Sequence, residues 1–184
     1  METPSLFLTF DDGPIPDITP AVCEILKEYN AKATFFCVGD NVKKHPEVYD
    51  LILKQGHAVG NHTFNHLNAW KTENRSFYKN VFLAQEYITS TLFRPPYGKL
   101  TRGQTKRLKE KFDIIMWDVL SGDFDPAVNG EKCAENVIKN AKSGSIIVFH
   151  DSLKASSAML EALPIVLEHF SKLNYSFKAI PMNK

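Results

Sequence analysis

Short apolar runs alternate with segments of helical spacing along the whole chain, and this alternation limits the fold more than any other feature. Residues 6–10, 33–38 and 145–150 are apolar, without the polar alternation of a half-exposed strand. Such runs are typical of strands that are buried on both faces, as in parallel sheets. The helical segments between them supply the crossovers that parallel neighbours need. The sequence therefore predicts an α/β protein with a mostly parallel sheet.

Turn, capping and periodicity signals delimit seven strands and six helices. The predicted strands are 6–10, 33–38, 57–60, 92–94, 113–119, 145–150 and 175–180. The predicted helices are 21–29, 45–55, 76–88, 101–111, 130–142 and 155–173. Because 184 residues are typical of one domain, residues 1–184 are assigned to a single domain. A parallel barrel and an open doubly wound sheet both accommodate this order of elements.

Composition and charge exclude several classes of protein. The formal net charge is +1 and the basic residues are scattered, whereas a nucleic-acid-binding surface needs a basic excess. No apolar stretch approaches the roughly 20 residues that span a bilayer. The start of the chain has no features of a secretory signal, so we expect a cytoplasmic protein that has no membrane partner. Cys23, Cys37 and Cys133 are far apart and are expected to be reduced thiols.

Unusual polar residues stand at the ends of the predicted strands. They are Asp11 and Asp12 after the first strand, His62 and His66 after the third, Arg94 at the end of the fourth, Asp118 and Asp123 after the fifth, and His150 at the end of the sixth. In parallel α/β folds the carboxyl ends of the strands meet at one edge, and the active site lies there. We therefore expect these side chains to surround one site.

The segment from His62 to His66 carries two histidines four residues apart, and Asp11 and Asp12 offer adjacent carboxylates. Residues i and i+4 share a face on a helix and on an extended strand, so both imidazoles can reach one ion. A cation would also relieve the repulsion between neighbouring carboxylates. Two histidines and one carboxylate form catalytic zinc sites, with the other carboxylate free as a base. Taken separately, each pair fits a polar loop or a solvated turn equally well.

Two further segments suggest groups that act on a substrate. The turn that starts at Arg94 contains two prolines, which fix φ and stiffen it. Its functional interpretation is that Arg94 pairs with a carboxylate and that the N–H of Tyr97 faces the substrate; the alternative is a rigid loop. His150 ends an apolar strand, where a histidine is more often structural. At the mouth of a metal site it would supply the proton that a leaving nitrogen needs.

The order of these segments resembles the five motifs of the polysaccharide deacetylases, which are the carbohydrate esterase family four or NodB-homology proteins. The matching segments are 9–14 (TFDDGP), 62–66 (HTFNH), 94–97 (RPPY), 123–124 (DF) and 148–150 (VFH). The resemblance extends over residues 6–180. It implies a distorted (β/α)7-type parallel barrel, which agrees with the count of seven predicted strands. It also implies a metal-dependent hydrolase that acts on linear amide bonds.

The resemblance assigns a role to each motif residue. The implied catalytic residues are Asp11 as general base, His150 as general acid, Arg94 and Asp123. The implied metal ligands are Asp12, His62 and His66, and the implied substrate and oxyanion residues are Tyr97, Pro96, Val148 and Phe124. Arg94 would hold Asp11 through its two-pronged guanidinium. The N–H of Tyr97 would join the metal in stabilising the oxyanion.

Three positions depart from the family pattern. Leu120 replaces a usual acid, Phe124 replaces a tryptophan, and Val148 replaces a leucine. Because apolar and aromatic walls are retained, these changes are expected to affect substrate fit more than the reaction. The acid that tunes His150 stays open, with Asp123, Asp118, Asp125 and Asp151 as candidates.

The predicted reaction releases acetate from an N-acetylated carbohydrate. A divalent ion would activate the attacking water; zinc suits the ligand set, with cobalt or manganese as alternatives. O-acetyl esters and other linear amides suit the same machinery. A non-catalytic carbohydrate-binding module is the alternative from another class, although its expected mark, loss of a catalytic residue, is not found. The sequence specifies neither the sugar, its chain length, nor the oligomeric state.

Overall fold

All strand pairs in the computed structural model, which describes residues 3–182, are parallel, as the alternation predicts. The strands are β1 (Ser5–Asp11), β2 (Ala33–Cys37), β3 (Ala58–Asn61), β4 (Leu92–Phe93), β5 (Asp113–Ile114), β6 (Val119–Leu120), β7 (Ile146–His150) and β8 (Ser176–Phe177). Their order in the sheet is β5-β4-β3-β2-β1-β7-β6, and β8 pairs with the start of β1. The curled parallel sheet confirms the barrel-type α/β fold.

Seven α-helices lie within the described residues and connect the strands. They are α1 (Ile18–Glu28), α2 (Gly39–Lys44), α3 (Pro46–Lys54), α4 (Asn74–Gln85), α5 (Arg102–Leu108), α6 (Gly130–Asn140) and α7 (Ser156–Lys172). A single 3₁₀ turn, Pro96–Gly98, follows β4. The helical segments therefore lie where the periodicity predicts them, with ends that differ by a few residues.

The central strand β1 has one face on the main apolar core and the other on the barrel interior, where Phe7 packs against a smaller apolar cluster. Its residues alternate between two faces. Leu8 and Phe10 are fully buried in the main core with the helices. Phe10 stacks on Phe35 of β2 and Phe149 of β7, with ring centroids 5.0 and 5.8 Å apart. Because side chains alternate along the strand, Thr9 and Asp11 lie on the opposite face from Leu8 and Phe10 and point into the barrel.

One predicted strand is wrong. Residues 113–119 do not form a continuous strand, because β5 and β6 lie at opposite edges of the sheet. Ile115 N–H still donates to Phe93 at one edge, whereas Asp118 N–H donates to Ile146 at the other. Between them the chain bridges the gap between the two edges, where the carbonyl oxygens of Ile115 and Met116 accept hydrogen bonds from the buried Arg94 rather than from a strand. This crossing segment joins the two edges of the sheet.

The short helix α2 was not predicted from the sequence. It ends at Lys44 and α3 begins at Pro46, so His45 separates the two helices. A proline disfavours the α conformation in the residue before it, and His45 has φ −131° and ψ 58°. The sequence signal at His45-Pro46 therefore marks the start of α3, and it gives no sign that another helix ends just before it.

Among residues 3–182, no helix combines the length and hydropathy needed to cross a bilayer. The three cysteines are buried free thiols, which agrees with the expectation of reduced cysteines.

Candidate active site

A cavity of about 440 Å³ opens at the carboxyl edge of the sheet. Its lining residues are Asp11, Asp12, His62, His66, Tyr97, Lys99, Trp117, Leu120, Phe124, His150 and Lys154. Residues that follow β1, β3, β4, β6 and β7 thus meet at one mouth. This is the edge at which parallel α/β proteins place their sites.

The turn after β1 directs two adjacent carboxylates to the same place. On a regular strand, neighbouring side chains point to opposite faces, but Asp12 has left the strand with φ 85°. Asn41 Nδ2 donates to the Asp12 carbonyl at 2.8 Å and fixes this conformation. Asp11 is 3% exposed and Asp12 is half-buried at the cavity.

Asp151 supports this turn from below and is fully buried. Its Oδ1 accepts from Gly13 N–H at 3.0 Å, and its Oδ2 accepts from the Thr19 hydroxyl at 2.6 Å. A Cβ at Gly13 would lie 2.0 Å from the Asp151 carboxylate, so only glycine permits this approach. Burial raises the pKa of Asp151, and the negative charge of Asp12 raises it further. The hydrogen bond from Thr19 lowers it, and the resulting pKa is about 8.

The loop that carries His62 and His66 belongs to neither a helix nor a strand. Thr63 and His66 have positive φ angles of 64° and 54°. The argument from i and i+4 on a regular element therefore does not apply. Amide side chains hold the loop instead: Asn61 Oδ1 accepts from Thr63 N–H at 2.8 Å, and Asn80 Oδ1 accepts from two successive loop N–H groups at 2.9 Å. Both imidazoles nevertheless reach Asp12.

The side chains of Asp12, His62 and His66 form a cluster that could hold a metal ion. Asp12 Oδ1 lies 3.6 Å from His62 Nε2 and 3.2 Å from His66 Nε2. Ligands about 2.0–2.2 Å from a tetrahedral ion are separated by about 3.3–3.6 Å, which is close to this spacing. Asp12 Oδ1 is buried without a hydrogen-bond partner, a costly state that a cation would relieve. The residues therefore fit a metal.

The protonation of this cluster also suits a metal. His62 Nδ1 lies 2.8 Å from the carbonyl oxygen of Arg94; because that oxygen only accepts, Nδ1 carries the proton and Nε2 keeps its lone pair. Burial lowers the pKa of His62, which favours the neutral ring. Burial raises the pKa of Asp12, but the neighbouring His66 and the charges of His62 and His150 outweigh it and lower the value to about 2. Neutral imidazole and ionised carboxylate are the forms that bind metal.

Arg94 is fully buried and lies at the centre of the site. Its Nη1 donates to Asp11 Oδ1 and to Thr9 Oγ1, both at 2.7 Å. The expected pairing with Asp11 is present, but the two-pronged contact is not. The rest of the guanidinium donates to the carbonyl oxygens of Ile115 and Met116 at 3.2 Å. One side chain thus orients the carboxylate and anchors the crossing segment.

His150 is held by Asp123, which resolves the choice among four acids. Asp123 is 2% exposed; its Oδ1 lies 2.8 Å from His150 Nδ1, and its Oδ2 accepts from His150 N–H at 2.6 Å. Nε2 is then the nitrogen available to the cavity. Burial lowers the pKa of His150, but the hydrogen bond to Asp123 and the charges of Asp123, Asp11 and Asp12 raise it to about 9.

The other candidate acids serve elsewhere. Asp151 supports the Asp12 turn, and Asp125 caps a loop through Ala127 N–H. Asp118 was expected at the carboxyl edge, but its Oδ2 accepts from the N–H of Ile146, the first residue of β7, at the opposite edge. This correction follows from the split strand, since Asp118 precedes β6 instead of following it.

The expected substrate residues are only partly at the cavity. Tyr97 lies there in a left-handed conformation with φ 61°, and its ring packs against His66. The Phe124 ring lies edge-on to His150 at 5.3 Å. Pro96 and Val148 do not reach the surface of the cavity: Pro96 is buried, and Val148 is 1% exposed, two residues below His150 on β7.

Sequence reasoning missed three of the lining residues, and it considered Leu120 only as a departure from the family pattern. Trp117 lies within the predicted strand 113–119, and Lys99 and Lys154 belong to no motif. A tryptophan near the end of a strand is only a weak indication of a substrate site, and the two lysines offered no indication in the sequence.

The chain is similar to known proteins along most of its length. The model of the family described as polysaccharide deacetylase matches residues 1–112. A peptidoglycan-N-acetylglucosamine deacetylase from Bacillus cereus is 35% identical, over 94% of this chain and 84% of the relative. A chitooligosaccharide deacetylase from Azorhizobium caulinodans is also 35% identical, over 85% of this chain and 78% of the relative.

A solved structure has the same fold. The crystal structure of a peptidoglycan N-acetylglucosamine deacetylase, in complex with 4-naphthalen-1-yl-N-oxidanyl-benzamide, superposes with a TM-score of 0.92. The two proteins are 30% identical, and the match covers 96% of this chain and 86% of the other.

Replacing Arg94 by lysine is expected to lower stability and turnover and to leave metal binding intact. Lysine keeps a charge near Asp11, but it leaves the carbonyl oxygens of Ile115 and Met116 without donors, a loss of about 2–4 kcal/mol. The bond to His62 comes from the Arg94 backbone and is unaffected. Urea denaturation and metal analysis of Arg94→Lys check this; loss of the metal would contradict it.

Asp151→Ala is expected to lower the free energy of unfolding by about 2–4 kcal/mol, because Gly13 N–H and the Thr19 hydroxyl lose their buried partner. Asp151→Asn, which keeps an acceptor, should lose less. Since the folded state holds the proton up to a pKa of about 8, stability should fall from pH 5 to pH 8 in the wild type more than in Asp151→Asn. Urea denaturation at both pH values tests this, and equal slopes would refute it.

Proposed function

This chain belongs to the polysaccharide deacetylase family, and we propose that it acts as a single catalytic domain that hydrolyses N-acetyl groups on a carbohydrate. The products are acetate and a free amino sugar. The single observation that carries the proposal is the complete catalytic geometry at one mouth. A metal-ligand cluster, a buried carboxylate paired with Arg94 and a protonated His150 all line the same cavity.

Asp12, His62 and His66 would hold the ion, for which zinc is proposed because two histidines and one carboxylate are typical of catalytic zinc sites. Cobalt or manganese would serve the same ligands. When bound, the ion would polarise the acetyl carbonyl and increase the acidity of a water molecule.

Asp11 is proposed to take a proton from the attacking water. Its Oδ2 lies 3.9 Å from His62 Nε2, so the carboxylate borders the ligand cluster without joining it. Its other oxygen is held by Arg94. A base that is fixed in this way needs no reorientation when the water attacks, which is how positioned carboxylates contribute to general-base catalysis.

His150 is proposed to donate a proton to the leaving nitrogen. The hydrogen bond from Nδ1 to Asp123 fixes the ring, and Nε2–H is the donor. With a pKa of about 9, the ring is protonated at neutral pH. Without this proton the nitrogen would leave as an amide anion, so the acid is needed to break the C–N bond.

Substrates are held by the walls of the cavity. Phe124 and Leu120 offer apolar surface beside His150, which suits the methyl group of an acetamide. The N–H of Tyr97 is proposed to contact the oxyanion, because Tyr97 lines the cavity beside His66.

A non-catalytic carbohydrate-binding module is the alternative from another class. The fold alone does not separate it from an enzyme. Two hydrogen-bonded pairs favour the enzyme: Arg94 with Asp11, and Asp123 with His150. Sugar binding alone needs neither a fixed base nor a protonated acid.

Acetate release tests the proposal directly. Purified protein is incubated with chitin oligomers, peptidoglycan fragments, acetylated xylan and small linear amides, with zinc, cobalt or manganese or with a chelator. Release from an N-acetylated sugar that depends on metal supports the proposal. Preference for xylan would instead indicate an O-acetyl esterase, and no release with any metal would support the binding module.

The two neighbouring aspartates are expected to lose different functions when replaced. Asp11→Asn keeps size and polarity but cannot take a proton, so turnover should fall by about 10²–10⁴-fold with metal content near that of the wild type. Asp12→Ala leaves two histidine ligands and should bind metal weakly. Metal analysis and acetate release on both variants check this. Loss of metal in Asp11→Asn but not in Asp12→Ala would reverse the two roles.

The alkaline limit of activity is expected to follow His150. Since the general acid must be protonated, activity should decline as pH rises through about 9, the pKa of His150. Asp123→Asn removes the negative charge, so burial should lower that pKa and move the alkaline limb by about 1–3 pH units toward acid. A profile of kcat/KM against pH measures both limbs. Asp125→Asn is the matched control, because Asp125 is an exposed acid nearby in the sequence. If the alkaline limb of Asp123→Asn stays at the wild-type pH, Asp123 does not tune the pKa of His150.

A further inference from the structure

An exposed tryptophan stands beside the active-site cavity but outside it. Trp70 is 63% exposed, although large aromatic rings are usually covered. The Lys99 ammonium lies 5.1 Å from the centre of its ring, and Lys99 also lines the cavity. Lys99 therefore connects the Trp70 ring to the rim of the cavity.

The backbone around Trp70 is firmly anchored. Its N–H donates to Asn68 Oδ1 at 3.0 Å. The preceding Ala69 is 2% exposed, and its carbonyl accepts from Gln104 Nε2 at 3.1 Å. Gln104 is itself 1% exposed and forms a reciprocal capping box with Thr101 at the start of α5. The exposed ring is thus presented by a fixed backbone, which lowers the entropy that a ligand must offset on binding.

A shallow groove of about 410 Å³ runs along Trp70. Its walls include the polar residues Thr72, Glu73, Asn74 and Thr101. Glu73 and Thr101 already accept hydrogen bonds as helix caps, and Asn74 accepts from Gln104, so these groups are fixed in place. Their remaining hydrogen-bonding capacity beside an aromatic face suits a pyranose ring, which presents C–H groups on its faces and hydroxyl groups around its edge. The same combination is poorly suited to an aliphatic chain, because the polar walls would lose water without compensation.

We propose that Trp70 and this groove form a second sugar-binding subsite, which takes the unit next to the one whose acetamide lies in the cavity. Lys99 stands at the junction, where it would donate to the oxygens that join the two units. The inference rests on the proposed function and deepens it, because it assigns recognition of the neighbouring sugar unit to Trp70.

Chain-length dependence tests the subsite. Acetate release is measured with N-acetylglucosamine and its oligomers up to the hexamer, for the wild type, Trp70→Ala, Trp70→Phe and Leu173→Ala. Leu173 is 53% exposed at the end of α7, where the chain enters β8, on the amino edge of the sheet and away from the mouth. It therefore serves as a control for loss of an exposed apolar side chain.

The ratio of kcat/KM for the oligomers to kcat/KM for the monosaccharide should fall by about twofold to tenfold in Trp70→Ala. This range corresponds to aromatic contacts of about 0.5–1.5 kcal/mol, at 1.4 kcal/mol per tenfold. The change should lie mainly in KM. Trp70→Phe, which keeps an aromatic face, should restore most of the ratio, and Leu173→Ala should not change it. An unchanged ratio in Trp70→Ala, or an equal loss for monosaccharide and oligomers, overturns the subsite.

A binding measurement separates failure of the subsite from failure of the proposed function. Calorimetric titration of the N-acetylglucosamine tetramer into the zinc-loaded wild type and Trp70→Ala needs no turnover. If the wild type releases no acetate from any oligomer, the proposed activity fails, and the titration alone decides the subsite. Weaker binding by Trp70→Ala then supports it, and equal binding, or none by either protein, overturns it.

Discussion

The ion pair between Arg94 and Asp11 is the interaction on which the rest of the site depends. Both side chains are buried, and an unpaired charge there would cost several kcal/mol. The guanidinium also satisfies the carbonyl oxygens of Ile115 and Met116 and lies 4.1 Å above the Phe36 ring. One residue therefore connects the central strand to the segment that joins the two sheet edges. Its backbone carbonyl orients His62, so the proposed base, a proposed metal ligand and the segment that joins the sheet edges all depend on Arg94.

The other groups proposed to act in the site are supported in the same way, each by a buried polar neighbour. Asp123 fixes His150 from behind, and Asp151 fixes the turn that presents Asp12. These carboxyl groups have different electrostatic effects: Asp123 raises the pKa of His150, whereas Asp151 is itself driven by burial toward its neutral form. A buried acid that is largely neutral adds little negative charge beneath the carboxylates of the site. The left-handed conformations of Asp12 and Thr63 persist because hydrogen bonds with Asn41 and Asn61 hold them.

Sequence reasoning succeeded where a local pattern has a physical cause of its own. Apolar strands without alternation have to be buried on both faces, which made the parallel sheet predictable. The order of the motif segments predicted the family that the comparisons establish. The strand prediction failed at residues 113–119, because an apolar segment has the same sequence pattern whether it continues a strand or joins two edges of a sheet. Sequence reasoning also missed the short helix α2 (Gly39–Lys44), whose end coincides with the start of the next helix.

The amino-acid sequence by itself determined the fold class, the edge of the sheet that carries the site and the residue types that gather there, since hydrophobic pattern and strand direction are local properties of the chain. Only the tertiary structure decided how those residues are paired. Asp123 rather than Asp118 meets His150, because the chain crosses between the sheet edges before it forms β6. Val148 lies beneath the cavity and Trp70 beside it, because side-chain exposure depends on what packs against a residue from distant parts of the chain.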